Sequence, residues 1–407
     1  MATLKVHGGS AFLNWRATTP CLYVTAESDD FDDSTLQAWR EEGFDVHYLP
    51  FGDGGKQYVK TLHSLKDGLG VGGTYAILSS APPAFGDAAS VCLETFIRQD
   101  LKLSALVAYY PSSIPDPQTQ FMPSLRVMVH LAGTQIGVNK NSEILGIQGK
   151  RRTITKKITP GIGTGGMQSK LKYPCFTYQG VEPGFAEHDL EEYDKVADAV
   201  AWSRSLDTIR RGFSAELDIE TVWEENEEHK FRTPNSVKLL STMTDLRKPH
   251  VIYTPTMTGA KGKEDLARFY NEYFLPSISP RADPPTGLKT RLISRTIGVD
   301  RIVDELLISF KHVQPMPWIL PGIPPTNLPV EIVLVSIVAL RGAKIYSEHV
   351  YWDQAAVLVQ VGLLDIEDVP EHWRKKGVKE LPIVGEESAR KVLDEDREPW
   401  NELIADW

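Results

Sequence analysis

Residues Thr74 to Phe96 read "TYAILSSAPPAFGDAASVCLETF". The apolar run TYAILSS, stopped by Pro82 and Pro83, predicts a buried strand, and DAASVCLETF carries apolar residues at helical spacing. Strand, sharp turn and helix is the arrangement that lifts a Ser or Cys nucleophile above a parallel sheet in many α/β enzymes. The turn here offers Phe85-Gly86-Asp87-Ala88-Ala89, and neither GxSxG nor GxCxG occurs anywhere in the chain. This stretch therefore sets a fold class and leaves its usual chemistry unfilled.

Outward from it, residues 20 to 213 keep alternating strand and helix. CLYVTAE precedes the acid-capped helix DDSTLQAWREEGF, DVHYLPF precedes YVKTLHSLKDGL, and LSALVAYYPSS, RVMVHLAGT and KYPCFTYQ supply further strands. A helix over DLEEYDKVADAVAWSRSLDTIRRGF closes the series. Repeated βα units predict a mostly parallel sheet covered by helices. The run GKRRTITKK, Gly149 to Lys157, reads as a solvated loop, because no aromatic is interleaved with its charges.

The pattern changes after Phe213. A helix pair broken near Pro234 and a helix at KEDLARFYNEYFLP come first. Four long strands follow: LKTRLISRTIG, RIVDELLISFKH, VEIVLVSIVAL and AKIYSEHVYWDQ, with hairpin chemistry at GVD and RGA. The overall expectation is α/β plus α+β. Residues 1–213 form a parallel-sheet domain, 214–368 a curved antiparallel sheet with helices around a conical pocket, and 369–407 an acidic tail.

At 407 residues the chain is too long for one ordinary core, and a net charge of -10 argues against a nucleic-acid footprint. Cys21, Cys92 and Cys175 have no CxxC or Cys/His ligand spacing, so no metal is expected and a reducing, cytoplasmic setting is. The longest apolar stretch, VEIVLVSIVAL, is about half of what a membrane span requires, so no membrane insertion is expected. GIGTGG at 161–166 does not sit between a strand and a helix of a βαβ unit, and no cofactor is expected.

The first half resembles dienelactone hydrolase (carboxymethylenebutenolidase), most clearly at YPCFTYQGVEPGFAEHDLEEYDKVADAVAWSRSLDTIRR. That resemblance implies an α/β-hydrolase fold with a Cys-His-Asp triad. Here Gly86 stands at the nucleophile position, Pro183 at the histidine position, and Thr134-Gln135-Ile136 where the acid belongs. A nucleophile needs an adjacent base and a group orienting it, so this half is expected to be non-catalytic, a scaffold or pocket wall. Ser79 and Ser80 end the strand, and Cys92 falls two turns into the helix, where a Cys is normally a small buried hydrophobe.

The second half resembles the SnoaL-like branch of the nuclear-transport-factor-2-like (NTF2-like) fold, at IYSEHVYWDQAAVLVQVGLLD and RIVDELLISF. Alternation along Arg301–His312 places Ile302, Asp304, Leu306, Ile308, Phe310 and His312 on one face, with Glu305 as the acid of the other face. Along the last strand Ser347, His349, Tyr351 and Asp353 share a face, and Glu348, Val350 and Trp352 the opposite one. The resemblance implies acid/base and oxyanion roles for His349 and Asp353, with Asp304 a further acid. Asp304 equally suits a salt bridge to Arg295 or Arg291, and His349 with Asp353 a brace at the strand end. Loops add His250, Tyr253 and, on a Pro-rich lid, Trp318. SnoaL-like proteins act on polyketides and terpenoids, so the expected activity is cofactor-free cyclisation or isomerisation, including a pericyclic Diels–Alder closure, of an apolar small molecule. A homodimer is expected. The alternatives are a hydrolase with an unconventional nucleophile and a non-catalytic binding or scaffold protein.

Overall fold

The computed structural model describes residues 5–6, 19–80, 87–98, 100–140, 143–144, 147–148, 152–161, 166–279 and 285–404. Turn residues 81–86, with Gly86 at the expected nucleophile position, lie outside the described residues, as do 149–151 and 162–165 of the basic and glycine-rich segments. Contacts divide the chain into two units, Met1–Leu217 and Asp218–Trp407.

The first unit is built on six strands: β1 (Cys21–Ala26), β2 (Asp45–Pro50), β3 (Tyr75–Ser80), β4 (Leu103–Tyr109), β5 (Arg126–Leu131) and β6 (Cys175–Thr177). Their order is β6-β5-β4-β3-β1-β2, and every neighbouring pair is parallel. Every residue of β3 and β4 is buried, which is why both read as continuous apolar runs rather than alternations. Helices α1 (Asp33–Glu41), α2 (Gly55–Ser64), α3 (Ala88–Thr95) and α4 (Lys195–Phe213) accompany them. Aspartates start three of the four. Asp32 accepts from Ser34 N, Asp87 from Ser90 N, and Asp194 from Val196 N and Ala197 N, satisfying amides that lack an intrahelical partner. The last helix thus begins at Lys195 rather than near Asp189, because the cap is Asp194. The basic segment is not a loop: Arg152–Lys157 is a strand antiparallel to Gln135–Lys140, its side chains mostly in solvent.

The second unit holds β7 (His250–Tyr253), β8 (Thr258–Lys261), β9 (Lys289–Ile297), β10 (Arg301–Lys311), β11 (Pro329–Arg341) and β12 (Lys344–Trp352), in the order β8-β7-β12-β11-β10-β9. All neighbours are antiparallel except β7 and β12. The four long strands fall where the pattern puts them. The β7–β8 hairpin replaces an expected loop. Its turn is residues 254–257, and within β8 Gly259, paired with Ile252, has φ 121°, where an added Cβ would lie 2.0 Å from Val251 O.

Helix α5 (Glu220–Glu227) continues into a wide π-helical turn, Glu228–Arg232, and Ser236–Ser241 follows as α6. Helix α7 (Lys263–Arg268) passes through a second π-turn, Phe269–Phe274, into α8 (Leu275–Ile278), and α9 spans Gln354–Gln360. Within the tail, Ala389 is buried and Arg390 reaches Glu331 of β11 at 3.6 Å.

On β10 and β11 every second residue is buried: Ile302, Asp304, Leu306, Ile308 and Phe310, then Val330, Ile332, Leu334, Ser336 and Val338. β12 breaks this alternation. Leu340 pairs with Ile345 while Ala339 pairs with Ser347, so Tyr346 is an extra, unopposed residue. Such a bulge reverses the facing of everything beyond it. Glu348, Val350 and Trp352 therefore join the buried face, and His349 and Tyr351 the other.

Candidate functional site

The buried face of the second unit's sheet and the helices against it enclose a cavity. Its walls are Trp223, Phe231 and Phe274 from the helices and their π-turns, Tyr253 from β7, and Trp318. Leu306, Ile308, Leu334, Val350, Ser336 and Glu348 come from the three long central strands. The cavity's free volume is about 10 Å³. That is room for roughly one water, so a larger guest requires a wall to move.

The cavity's charge is Glu348, 3% exposed. Its carboxylate accepts from Lys230 Nζ at 2.5 Å and from the Ser336 hydroxyl at 3.3 Å. Lys230 is itself fully buried and projects from the first π-turn, with its ammonium 4.8 Å from the centre of the Trp223 ring. Two phenols lie near the same carboxylate. Burial first, then neighbouring groups including Glu348, hold the Tyr253 and Tyr270 hydroxyls far above their ordinary range, so both stay protonated donors. Among the described residues the Tyr270 hydroxyl and the Trp318 indole N–H are buried without a hydrogen-bond partner.

Trp318 sits in the Pro-rich segment expected to be a lid. Met316, Trp318 and Ile319 are buried, and the backbone is tied down. Thr256 and Thr258 hydroxyls donate to Trp318 O at 2.9 and 3.1 Å, and the Gln354 amide to Ile319 O at 3.0 Å. The segment is a clamped wall.

Of the residues expected at the site, Tyr253 and Trp318 line the cavity. Trp352 is buried beside them, its ring 6.0 Å from Trp318 and 6.2 Å from Tyr253, with its N–H on Gln354. The others are corrected by the geometry. Asp353 is the exposed N-cap of α9, accepting from Ala355 N and Ala356 N. His349 and Tyr351 are turned away by the bulge. His349 meets His250 with Nε2 atoms 3.2 Å apart, outside the cavity. Glu305 lies on the outer face and accepts from Ser294.

Asp304 is inward but spoken for. Arg295, directly opposite on β9, binds both its oxygens at 2.7 Å, and the Trp223 indole donates at 2.6 Å. Arg295 also grips Glu220, Glu224 and Glu227, tying α5 to the sheet. That is the salt bridge the sequence allowed. His312 is fully buried, with Nδ1 at Thr326, Nε2 unpartnered and its pKa lowered by burial, and it does not line the cavity.

In the first unit the strand order reverses between β1 and β3, the position at which open α/β sheets form a crevice. Ser80, at the end of β3, donates to Glu187 at 2.5 Å, and Glu27 accepts from Ala88 N at 2.7 Å. Burial pushes each glutamate up to about 7. Cys92 is fully buried, and burial pushes its thiol up to about 12, so it supplies no thiolate at neutral pH. Among the described residues no group of His, Cys, Asp and Glu side chains is placed to hold a metal ion, and no helix is long and apolar enough to cross a membrane.

No protein-family model matches the chain, and no curated protein matches it. Its fold is similar in part to several solved structures. A SnoaL-like polyketide cyclase candidate from Jannaschia sp. CCS1 is 19% identical, over 36% of this chain and 96% of that one, at a TM-score of 0.29. A hypothetical protein of ketosteroid isomerase-like fold from Catenulispora acidiphila is 14% identical, over 36% and 95%, at 0.26. An NTF2-like protein from Burkholderia xenovorans is 12% identical, over 35% and 93%, at 0.25.

Proposed function

We propose that the second unit's cavity carries out cofactor-free proton transfer on an apolar small molecule, cyclising or isomerising it, with Glu348 as proton acceptor. The observation that carries this reading is one carboxylate, 3% exposed, on the wall of an otherwise aromatic and aliphatic cavity and held by one buried ammonium. Burying a charge is costly unless it is paired, and the ammonium 2.5 Å away supplies the pair.

The proton on a carbon next to a carbonyl passes to a Glu348 oxygen. The C–H electron pair becomes the double bond of an enolate, with the charge on oxygen. Where the enolate is conjugated to a further double bond it takes the proton back from Glu348 at the γ-carbon, which isomerises the substrate; otherwise its α-carbon attacks a second carbonyl and closes a ring, and the new alkoxide takes the proton from Glu348. Lys230 positions the carboxylate, and the aromatic walls fold the substrate and exclude water. Carbonyl-bearing polyketide or terpenoid intermediates have the right chemistry. A pericyclic closure would use the same walls without Glu348, so the ion pair favours proton transfer.

Exchange of the α-protons of 2-tetralone in D2O, followed by NMR, tests this. The intact protein accelerates it above buffer and Glu348→Gln does not; equal rates with both proteins refute it. A second reading, a non-catalytic binding or scaffold protein, is favoured by the small free volume, and 2-tetralone binding without exchange would select it.

Two further expectations belong with this proposal. The first unit is non-catalytic, and hydrolysis of 4-nitrophenyl acetate lost in Ser80→Ala would overturn that. The protein is a homodimer through the outer sheet face bearing Val303, Leu307, Val333, Val335 and Ile337, which are partly exposed. A monomer in sedimentation would contradict it.

A further inference from the structure

One buried hydrogen-bond donor lines the cavity and a second packs on its wall residue Phe274, and neither has a partner among the described residues. The Trp318 indole N–H belongs to a side chain that is 1% exposed and forms part of the wall. The Tyr270 hydroxyl, on a side chain fully buried in the second π-turn, is likewise without a partner. Both rings pack on Phe274, another wall residue, at 5.4 and 5.7 Å between centres. Leaving a buried donor unsatisfied is costly, and native structures do so rarely. The rest of this neighbourhood is satisfied: Glu348 has Lys230 and Ser336, and the Trp352 and Trp223 indoles have Gln354 and Asp304. Among the described residues that line the cavity, the unmade bond belongs to Trp318, and Tyr270 adds a second on the ring of Phe274.

We infer that Trp318 is the oxyanion donor of this site, assisted by Tyr270, and that its ligand is an apolar molecule with a carbonyl or enolate oxygen. The inference rests on the reading of the cavity as a proton-transfer site and adds a substrate class to it. A neutral N–H buried among aromatic rings binds such an oxygen without bringing in a competing counter-charge. Its hydrogen bond strengthens as negative charge builds on the oxygen, so it stabilises the enolate more than the ketone. A hydrocarbon would fill the cavity and leave both donors unmade, so the site discriminates against it.

The test uses the full chain carrying Glu348→Gln, in which the neutral amide stands for the glutamic acid left after proton transfer. The probes are 4-nitrophenolate, a planar oxyanion, and nitrobenzene, the same ring without that oxygen. Adding Trp318→Phe is expected to weaken 4-nitrophenolate binding at least about tenfold and to leave nitrobenzene binding within about twofold. Tyr270→Phe is expected to act in the same direction by a smaller factor. Retained nitrobenzene binding also reports that the cavity of the variant is intact. Equal losses for both probes, or loss for neither, overturn the donor assignment while the cavity stands as a site. Failure of either probe to bind the Glu348→Gln protein overturns both the assignment and the cavity reading.

Discussion

Replacing Lys230 by Met separates a structural from a chemical role for the buried pair. Its ammonium is 2.5 Å from Glu348, and side-chain exposures are 1% and 4%. Removing one partner of such a pair leaves an uncompensated buried charge and typically costs about 3–5 kcal/mol. Removing both is expected to come much closer to the parent, because well-packed neutral replacements for a buried pair are often about neutral. Urea unfolding of the parent, Lys230→Met, Glu348→Gln and the double variant gives the cycle, and the double variant is expected to be more stable than Lys230→Met. The proton-transfer account adds a second readout. Without the ammonium Glu348 loses the hydrogen bond that positions it, so the rate of 2-tetralone exchange falls in Lys230→Met. A cost below about 1 kcal/mol would refute the buried-pair reasoning. A full stability cost with an unchanged exchange rate would refute Glu348 as the acceptor.

Glu187 is raised to about 7 by burial against an ordinary 4.5, so the folded chain holds protons that the unfolded chain releases between those values. The stabilisation is present below about pH 4.5 and is lost as pH rises through about 7, an upper bound on the order of 3 kcal/mol; Glu187→Gln should flatten that slope in melts across the window. Asp353→Ala should cost about 1 kcal/mol for the lost cap and leave exchange unchanged, and a rate loss greater than that in stability would restore it to the chemistry. Asp304→Asn should destabilise by about 1.5–3 kcal/mol, since Arg295 loses its hydrogen bonds to a charged partner but keeps Glu220, Glu224 and Glu227, and should act on stability alone.

Much of this was legible because it depends on local pattern. The all-buried β3 and β4 announce a parallel sheet, and alternation on β10 puts Asp304 and Glu305 on opposite faces and offers Arg295 or Arg291 as partner to Asp304, of which the structure pairs Arg295. The acceptor was missed because one extra residue, Tyr346, changes the phase of β12, and a bulge depends on what the neighbouring strand does. Glu348 was seen on the face opposite His349, and strict alternation from Ile345 sent it outward. Lys230 was invisible for a similar reason. It follows Trp223 by seven residues, a helical repeat, but a lysine in a charged segment such as EENEEHK reads as solvated until its partner arrives from β12. The β7–β8 hairpin is hidden by its short strands, each four residues long and joined by Thr254-Pro255-Thr256-Met257.

A crystal structure of the full chain with 2-tetralone bound bears most directly on the central claim. The account predicts the ketone inside the cavity of the second unit, made larger by movement of a wall. Its α-carbon should lie about 3–3.5 Å from a Glu348 oxygen, with the carbonyl on the Trp318 N–H. The ketone bound elsewhere, with the cavity still filled by Trp223, Phe231, Phe274 and Trp318, would contradict it.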